Sequence, residues 1–128
     1  MNRIINVAIA GKEYPLSFSL GAAKKIANKY GSLEKAFAGI SAEEEMTSNM
    51  LETFIFILET LIKQGCEYER MFDDKEIKPI TAVEIENVIN VSDIEQITGT
   101  IIEALSSSQQ KEIETKTEQK NVKAPKAI

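Results

Sequence analysis

The chain has 128 residues, 43% hydrophobic and 27% charged, with a formal net charge of −5, one cysteine and no histidine. That is enough apolar material for one core in a single soluble unit. No basic cluster marks a nucleic-acid surface, one cysteine cannot close an intrachain disulfide, and the missing imidazole removes the commonest general base and metal ligand.

Residues 4–20 read as an N-terminal β-hairpin. In 4–10, Ile5, Val7 and Ile9 share one face; in 13–20, Tyr14, Leu16, Phe18 and Leu20 alternate with Pro15, Ser17 and Ser19. Period-two alternation marks half-buried strands. Gly11-Lys12 suits a tight turn with glycine at its first central position. Pro15 cannot donate to a ladder and belongs on an edge strand. Arg3 alone precedes this alternating run, a poor secretory signal, so a reducing cytoplasm is the expected setting.

Ser19 is placed to cap a short helix whose stripe is Ala22, Ala23, Ile26, Ala27 and Tyr30, ended by Gly31. Ser32 is a fresh cap before Leu33, Ala36, Phe37 and Ile40. A long helix over about 42–64 follows and organises the rest. Ser41 and Glu44 have the capping-box spacing, Glu43–Glu45 suit a helix start, and Gly65 offers a stop. Met46, Met50, Phe54, Ile57, Leu58 and Leu61 recur at spacings of three and four, and Leu51, Ile55 and Ile62 widen the stripe. A helix apolar over most of its circumference is buried on several sides. Glu52 and Glu59 interrupt the run, so a membrane span, which needs about 20 mostly apolar residues, is the poorer reading.

Residues 66–80 are the longest connection, charge-dense with apolar residues embedded. They form either a functional or mobile loop or an extra helical turn. Thr81-Ala-Val-Glu84 and Ser92-Asp-Ile-Glu95 are further capping boxes. The first opens a helix with Val83, Ile85, Val88 and Ile89, the second one with Ile94, Ile97, Ile101, Ile102 and Leu105. The expected fold is therefore mainly α with an N-terminal β-hairpin, an α+β arrangement in which residues 1–106 form one helical domain around a central buried helix. From 107 to 128 the sequence is low in large apolar residues and reads as a disordered tail. The tail carries five Lys and three Glu, net +2, which leaves −7 on residues 1–106.

No constellation for catalysis, cofactor binding or metal binding emerges. Cys66 lacks a histidine partner and reads as an unreactive thiol at a helix end. Asp73, Asp74 and Glu76 lack the spaced ligands and glycine of a calcium loop. Gly11-Lys12 lacks the rest of a phosphate loop. Tyr68, Met71 and Phe72 stand out as three large apolar groups in a charged stretch. They either close over the core or await a partner, and are the candidate partner-binding residues. Binding rather than chemistry is the expectation.

The order of motifs resembles a known family. Ile9 to Ile26, with Gly11-Lys12-Glu13-Tyr14 in a hairpin and a helix after it, and Gly31-Ser32-Leu33-Glu34-Lys35-Ala36-Phe37, resemble phage tail assembly chaperones. The apolar helix, variable linker, Thr/Ser-x-x-Glu helix and final helix continue the likeness over about residues 4–106. The resemblance implies a protein that binds the tape measure protein and keeps it soluble during tail morphogenesis. It implies work in the host cytoplasm and absence from the mature virion. Tail tube protein would be recruited through a frameshift-extended form, whose junction would fall in the segment after Ser106. A homo-oligomer is compatible with this role; nucleic acid and membrane are not expected partners. The competing expectations are a structural virion component, such as a head–tail joining or minor tail protein, and a small enzyme, for which the residues give no sign of a metal or cofactor.

Overall fold

A computed structural model describes residues 4–40 and 45–106 of the chain. Strands β1 (Ile5–Ile9) and β2 (Lys12–Leu16) pair antiparallel, with Ile5 opposite Leu16 and Ile9 opposite Lys12. The turn is Ala10-Gly11, one residue earlier than predicted, with φ of 51° and 82°. Two left-handed residues make the mirror-image turn that matches the twist of paired strands. As predicted, β1 turns Val7 and Ile9 into the core, with Ile5 half-buried beside them.

The second strand ends at Leu16 rather than at residue 20, because Ser19 is used to start a helix. Its hydroxyl accepts from the Ala22 N–H at 3.2 Å and donates to Gln64 Oε1 at 2.6 Å. Leu20, expected on the strand's apolar face, is instead the first residue of α1 (Leu20–Tyr30) and is 86% exposed. Gly31 ends α1, and Ser32 caps α2 (Leu33–Ala38) by accepting from the Lys35 N–H, both as read from the sequence.

The central helix is α3 (Ser48–Asp73), 26 residues long, or about 39 Å at 1.5 Å per residue. Its cap is Thr47, whose hydroxyl accepts from the Met50 N–H at 3.2 Å, so the helix begins later than the predicted residue 42. The Ser41–Glu44 capping box lies outside the described residues, apart from which Met46, placed in the predicted stripe, precedes the helix and is half-exposed. From Met50 to Cys66 the helix is buried on several sides, with Phe54, Ile57, Leu58, Leu61 and Ile62 inside.

Gly65 does not stop α3. A Cβ there would lie 2.1 Å from the Pro15 carbonyl oxygen and 3.0 Å from the Leu16 nitrogen. Glycine is needed because the hairpin backbone rests directly on the helix. One turn earlier, the Leu61 carbonyl accepts from the Ser17 N–H at 3.1 Å. Pro15 thus sits on an edge strand, as its missing N–H requires, but that edge is covered by α3 and Pro15 is fully buried. Covering an edge with a helix is one way to keep it from pairing with another chain.

Helix α4 (Ala82–Val88) opens with the predicted capping box: the Thr81 hydroxyl accepts from the Glu84 N–H at 3.2 Å, and Glu84 Oε1 accepts from the Thr81 N–H at 2.9 Å. The backbone bond to Thr81 holds the Glu84 carboxyl below the usual carboxylate range. Glu59 of α3 adds a tertiary tie. Its Oε2 accepts from the Ala82 N–H at 3.0 Å and lies 3.6 Å from Lys63 Nζ.

The last helix, α5 (94–106), is entered through the 3₁₀ turn Val91–Asp93. Here the predicted Ser92–Glu95 box gives way to Asn90 and Asp93: the Asn90 N–H donates to Asp93 Oδ2 at 3.1 Å. Side chains from the hairpin, α1, α2, α3, α4 and α5 meet in one core, which includes Leu16, Ile26, Phe54, Ile85 and Ile101. Val83, Val88 and Ile102, read as core-facing, are exposed. A seven-residue helix offers one buried stripe, and in α4 Ile85 and the adjoining Ile89 take it. Among the described residues no helix is long and apolar enough to cross a membrane. The expected tail, 107–128, lies outside the described residues.

Candidate partner-binding surface

Cys66 is the last buried residue of α3, yet the helix continues for two more turns to Asp73. The stretch 66–80 is therefore helix for its first half and irregular chain from 74 onward. Glu and Arg are good helix formers, and exposed Glu67 pairs with Arg70 one turn on. The helix ends where Asp74 adopts a left-handed conformation, φ 55° and ψ 34°. Its N–H and that of Lys75 both reach the Glu69 carbonyl, the latter at 3.2 Å. Asp is one of the few residues other than glycine that visits this region readily.

The added turns carry all three singled-out residues. Tyr68 is half-buried, while Met71 is 60% and Phe72 66% exposed. The Tyr68 and Phe72 rings stack at a tilt of 41°, with centroids 4.8 Å apart. Spacings of three and four put the three on one side of the helix. Met71 and Phe72 do not close over the core; they form an apolar ridge with Tyr68 on a helix whose other end is anchored in the core.

The charges around the ridge are asymmetric. The Arg70 guanidinium hydrogen-bonds Glu67 and holds its carboxyl below the usual range. On another side of the helix, one oxygen of Glu69 is buried without a hydrogen-bond partner. Loss of water, then the neighbouring Asp73 carboxyl, push the Glu69 carboxyl upward. Burial, then Glu69, also push the Cys66 thiol up, which keeps it protonated and weakly nucleophilic at neutral pH. Asp73, Asp74 and Glu76 fall at and beyond the helix end. Among the described residues no three His, Cys, Asp or Glu side chains are grouped to hold a metal ion.

Beside the ridge lies an open cleft of about 590 Å³, walled by α1, α3 and residues 76–79. Lys25, Lys63, Gln64, Arg70, Ile77 and Lys78 line it. A smaller apolar groove of about 170 Å³ runs between α3 and α4, lined by Leu51, Ile55, Ile85, Ile89, Val91 and Ile94. The sequence offered no signal for the cleft, whose walls come from segments far apart in the chain. Lys63 falls on the predicted helix, Arg70 lies beyond its predicted end, and Lys25 and Lys78 join them only through the tertiary fold.

Compared with protein-family models, curated proteins and solved structures, the chain matches none.

Proposed function

We propose that the chain is a phage tail assembly chaperone that binds the tape measure protein and keeps it soluble until tail tube subunits polymerise around it. The observation that carries the reading is the ridge of Tyr68, Met71 and Phe72, two of them largely exposed, on the C-terminal end of the central helix. A surface of aromatic and Met side chains suits an apolar helical client, because such residues are enriched where proteins meet. A patch of three side chains is also small enough to be displaced, as a holdase requires. The order of motifs over about residues 4–106 supports the same reading. No covalent chemistry is needed for it. The protein acts in the host cytoplasm, and tail tube subunits are recruited through an extended form of the chain.

The test is co-expression with the tape measure protein, followed by a solubility assay and pull-down. The expected result is a soluble complex that survives moderate salt, since apolar burial rather than long-range charge holds it. A client equally soluble without the chain, with no complex recovered, overturns the reading. Finding the chain in purified mature particles would instead favour a head–tail joining or minor tail component.

A further inference from the structure

We infer that the cleft beside the ridge takes the carboxylates of an acidic, amphipathic helical segment of the client, while the ridge takes that segment's apolar face. The inference rests on the chaperone reading and adds the chemistry of the segment bound.

Residues 1–106 carry a net −7, yet the cleft gathers four cations from three segments. Lys25 comes from α1, Lys63 and Arg70 from α3, and Lys78 from the chain beyond it. Only Glu67 and Glu76 oppose them among the cleft's lining. Two of the four are already paired: Arg70 with Glu67, and Lys63 with Glu59, which lies outside the lining. Neither Lys25 nor Lys78 belongs to an ion pair among the described residues, and both are exposed. Lys78 acts only at longer range, helping to lower the Glu84 carboxyl. A concave site with an excess of one sign of charge concentrates ligands of the other sign, and complementary charge fixes orientation and speeds encounter.

Cleft and ridge adjoin at Met71. At 100° per residue, Lys63, Glu67 and Arg70 fall on the stripe of α3 that faces the cleft, Met71 lies at the edge of that stripe, and Tyr68 and Phe72 continue the ridge further round the helix. Cys66 and Ile77 give the cleft apolar walls under a charged rim, the anatomy of a protein interface. Charge also decides the occupant. The chain's own segment 107–128 is net +2 and would be repelled by Lys25 and Lys78. An acidic segment matches them, and its carboxylates would reach the rim while its apolar residues lie on the ridge from Met71 outward.

The probe is a fluorescently labelled amphipathic peptide with Leu at helical spacing and Glu on its flank, compared with a twin carrying Lys in place of Glu. Anisotropy titrations use the full chain at low and high salt. The Glu peptide is expected to bind at least about tenfold more tightly than its Lys twin and to weaken as salt rises. The pair K25E and K78E, both exposed, should cost about tenfold in affinity with the circular dichroism and melting point unchanged. If that pair fails to fold, K25Q with K78Q should still weaken binding. Equal binding of the two peptides, or indifference to these substitutions, overturns the inference. So does inorganic polyphosphate displacing the peptide while M71A with F72A leaves peptide binding unchanged, which reduces the cleft to a bare anion site. Self-association of the free chain that K25E and K78E abolish would assign the cleft to a second copy and overturn it too. The two proposals fail separately. K25E with K78E retaining full solubilisation of the tape measure protein sinks only the cleft. Selective peptide binding by a chain that never solubilises that client supports the cleft and sinks only the chaperone reading.

Discussion

The two ends of α3 obey the same spacing and meet opposite surroundings. From Met50 to Cys66, apolar residues three and four apart are buried under the hairpin and the other helices. From Glu67 to Asp73, Tyr68, Met71 and Phe72 recur at the same spacing, and two of them face solvent. Periodicity therefore reports that a helix has an apolar side, not what covers it. What covers the first stretch is the hairpin, whose Pro15 and Leu16 backbone is seated on Gly65, together with the other helices. Past that point the covering elements run out while the helix continues, and an apolar stripe becomes a surface.

The sharpest test of the buried half is Phe54→Ala. Its side chain is almost wholly inside, and truncating a buried Phe costs about 3–5 kcal/mol. Total stability for a domain of this kind is about 5–15 kcal/mol, so urea titration should show a large fall in midpoint. A change near zero would move Phe54 out of the core and remove the contrast between the two halves.

Gly65→Ala tests the seat itself. On helix propensity alone the change should stabilise α3 by up to about 1 kcal/mol. Against that, the added methyl would lie 2.1 Å from the Pro15 carbonyl oxygen, and backbone cannot rotate out of the way as a side chain can. Overpacking of this kind costs about 1–3 kcal/mol or more. The clash is expected to win, with a net loss in thermal and urea unfolding. A gain in stability would mean that hairpin and helix are not in direct contact.

The exposed half should respond the other way. Met71→Ala with Phe72→Ala should change unfolding by no more than about 0.5 kcal/mol, the range for surface positions without special roles. The same pair should sharply reduce recovery of the tape measure protein in a pull-down. Unchanged recovery would move the contact elsewhere, with the exposed Val83, Val88 and Ile102 of α4 and α5 next in line.

How far these features could be read from the sequence depends on how local their causes are. The caps at Ser19, Ser32 and Thr81 were legible, since each needs a hydroxyl and an N–H three residues on. The hairpin and the buried stripe of α3 were legible from periodicity. Gly65 reads as a helix end because a glycine required by close approach looks, in sequence, like a glycine required by a left-handed turn. The residue that takes the left-handed conformation is Asp74, nine positions later. The ridge residues stand out in the sequence, but the helix beneath them does not, because Gly65 reads as its end. The cleft was illegible: nothing within reach of Lys25 in sequence announces Lys63 or Lys78.

The smallest effect belongs to Glu69, on the exposed half but turned to a less solvated side of the helix. One of its oxygens is buried and unpaired, and Asp73 stands one turn on. Burial first, then that like charge, raise its carboxyl above the ordinary range. The folded state therefore holds the proton more tightly than the unfolded chain does. Below the ordinary value of 4.5, Glu69 is protonated in both states and costs nothing. As pH rises from there through the raised folded value, the folded state must give up a proton it prefers to keep, and stability declines. Glu69→Gln removes that charge. At pH 7 the variant should melt slightly higher than the parent, and the gap should narrow as pH falls and close once Glu69 is protonated in both states. Melting curves across that range check the sign. A variant that melts lower at pH 7 would show that the Glu69 charge is a favourable partner in the helix end, and that the last turns of α3 are held by an ionic contact as well as by the backbone cap at Asp74.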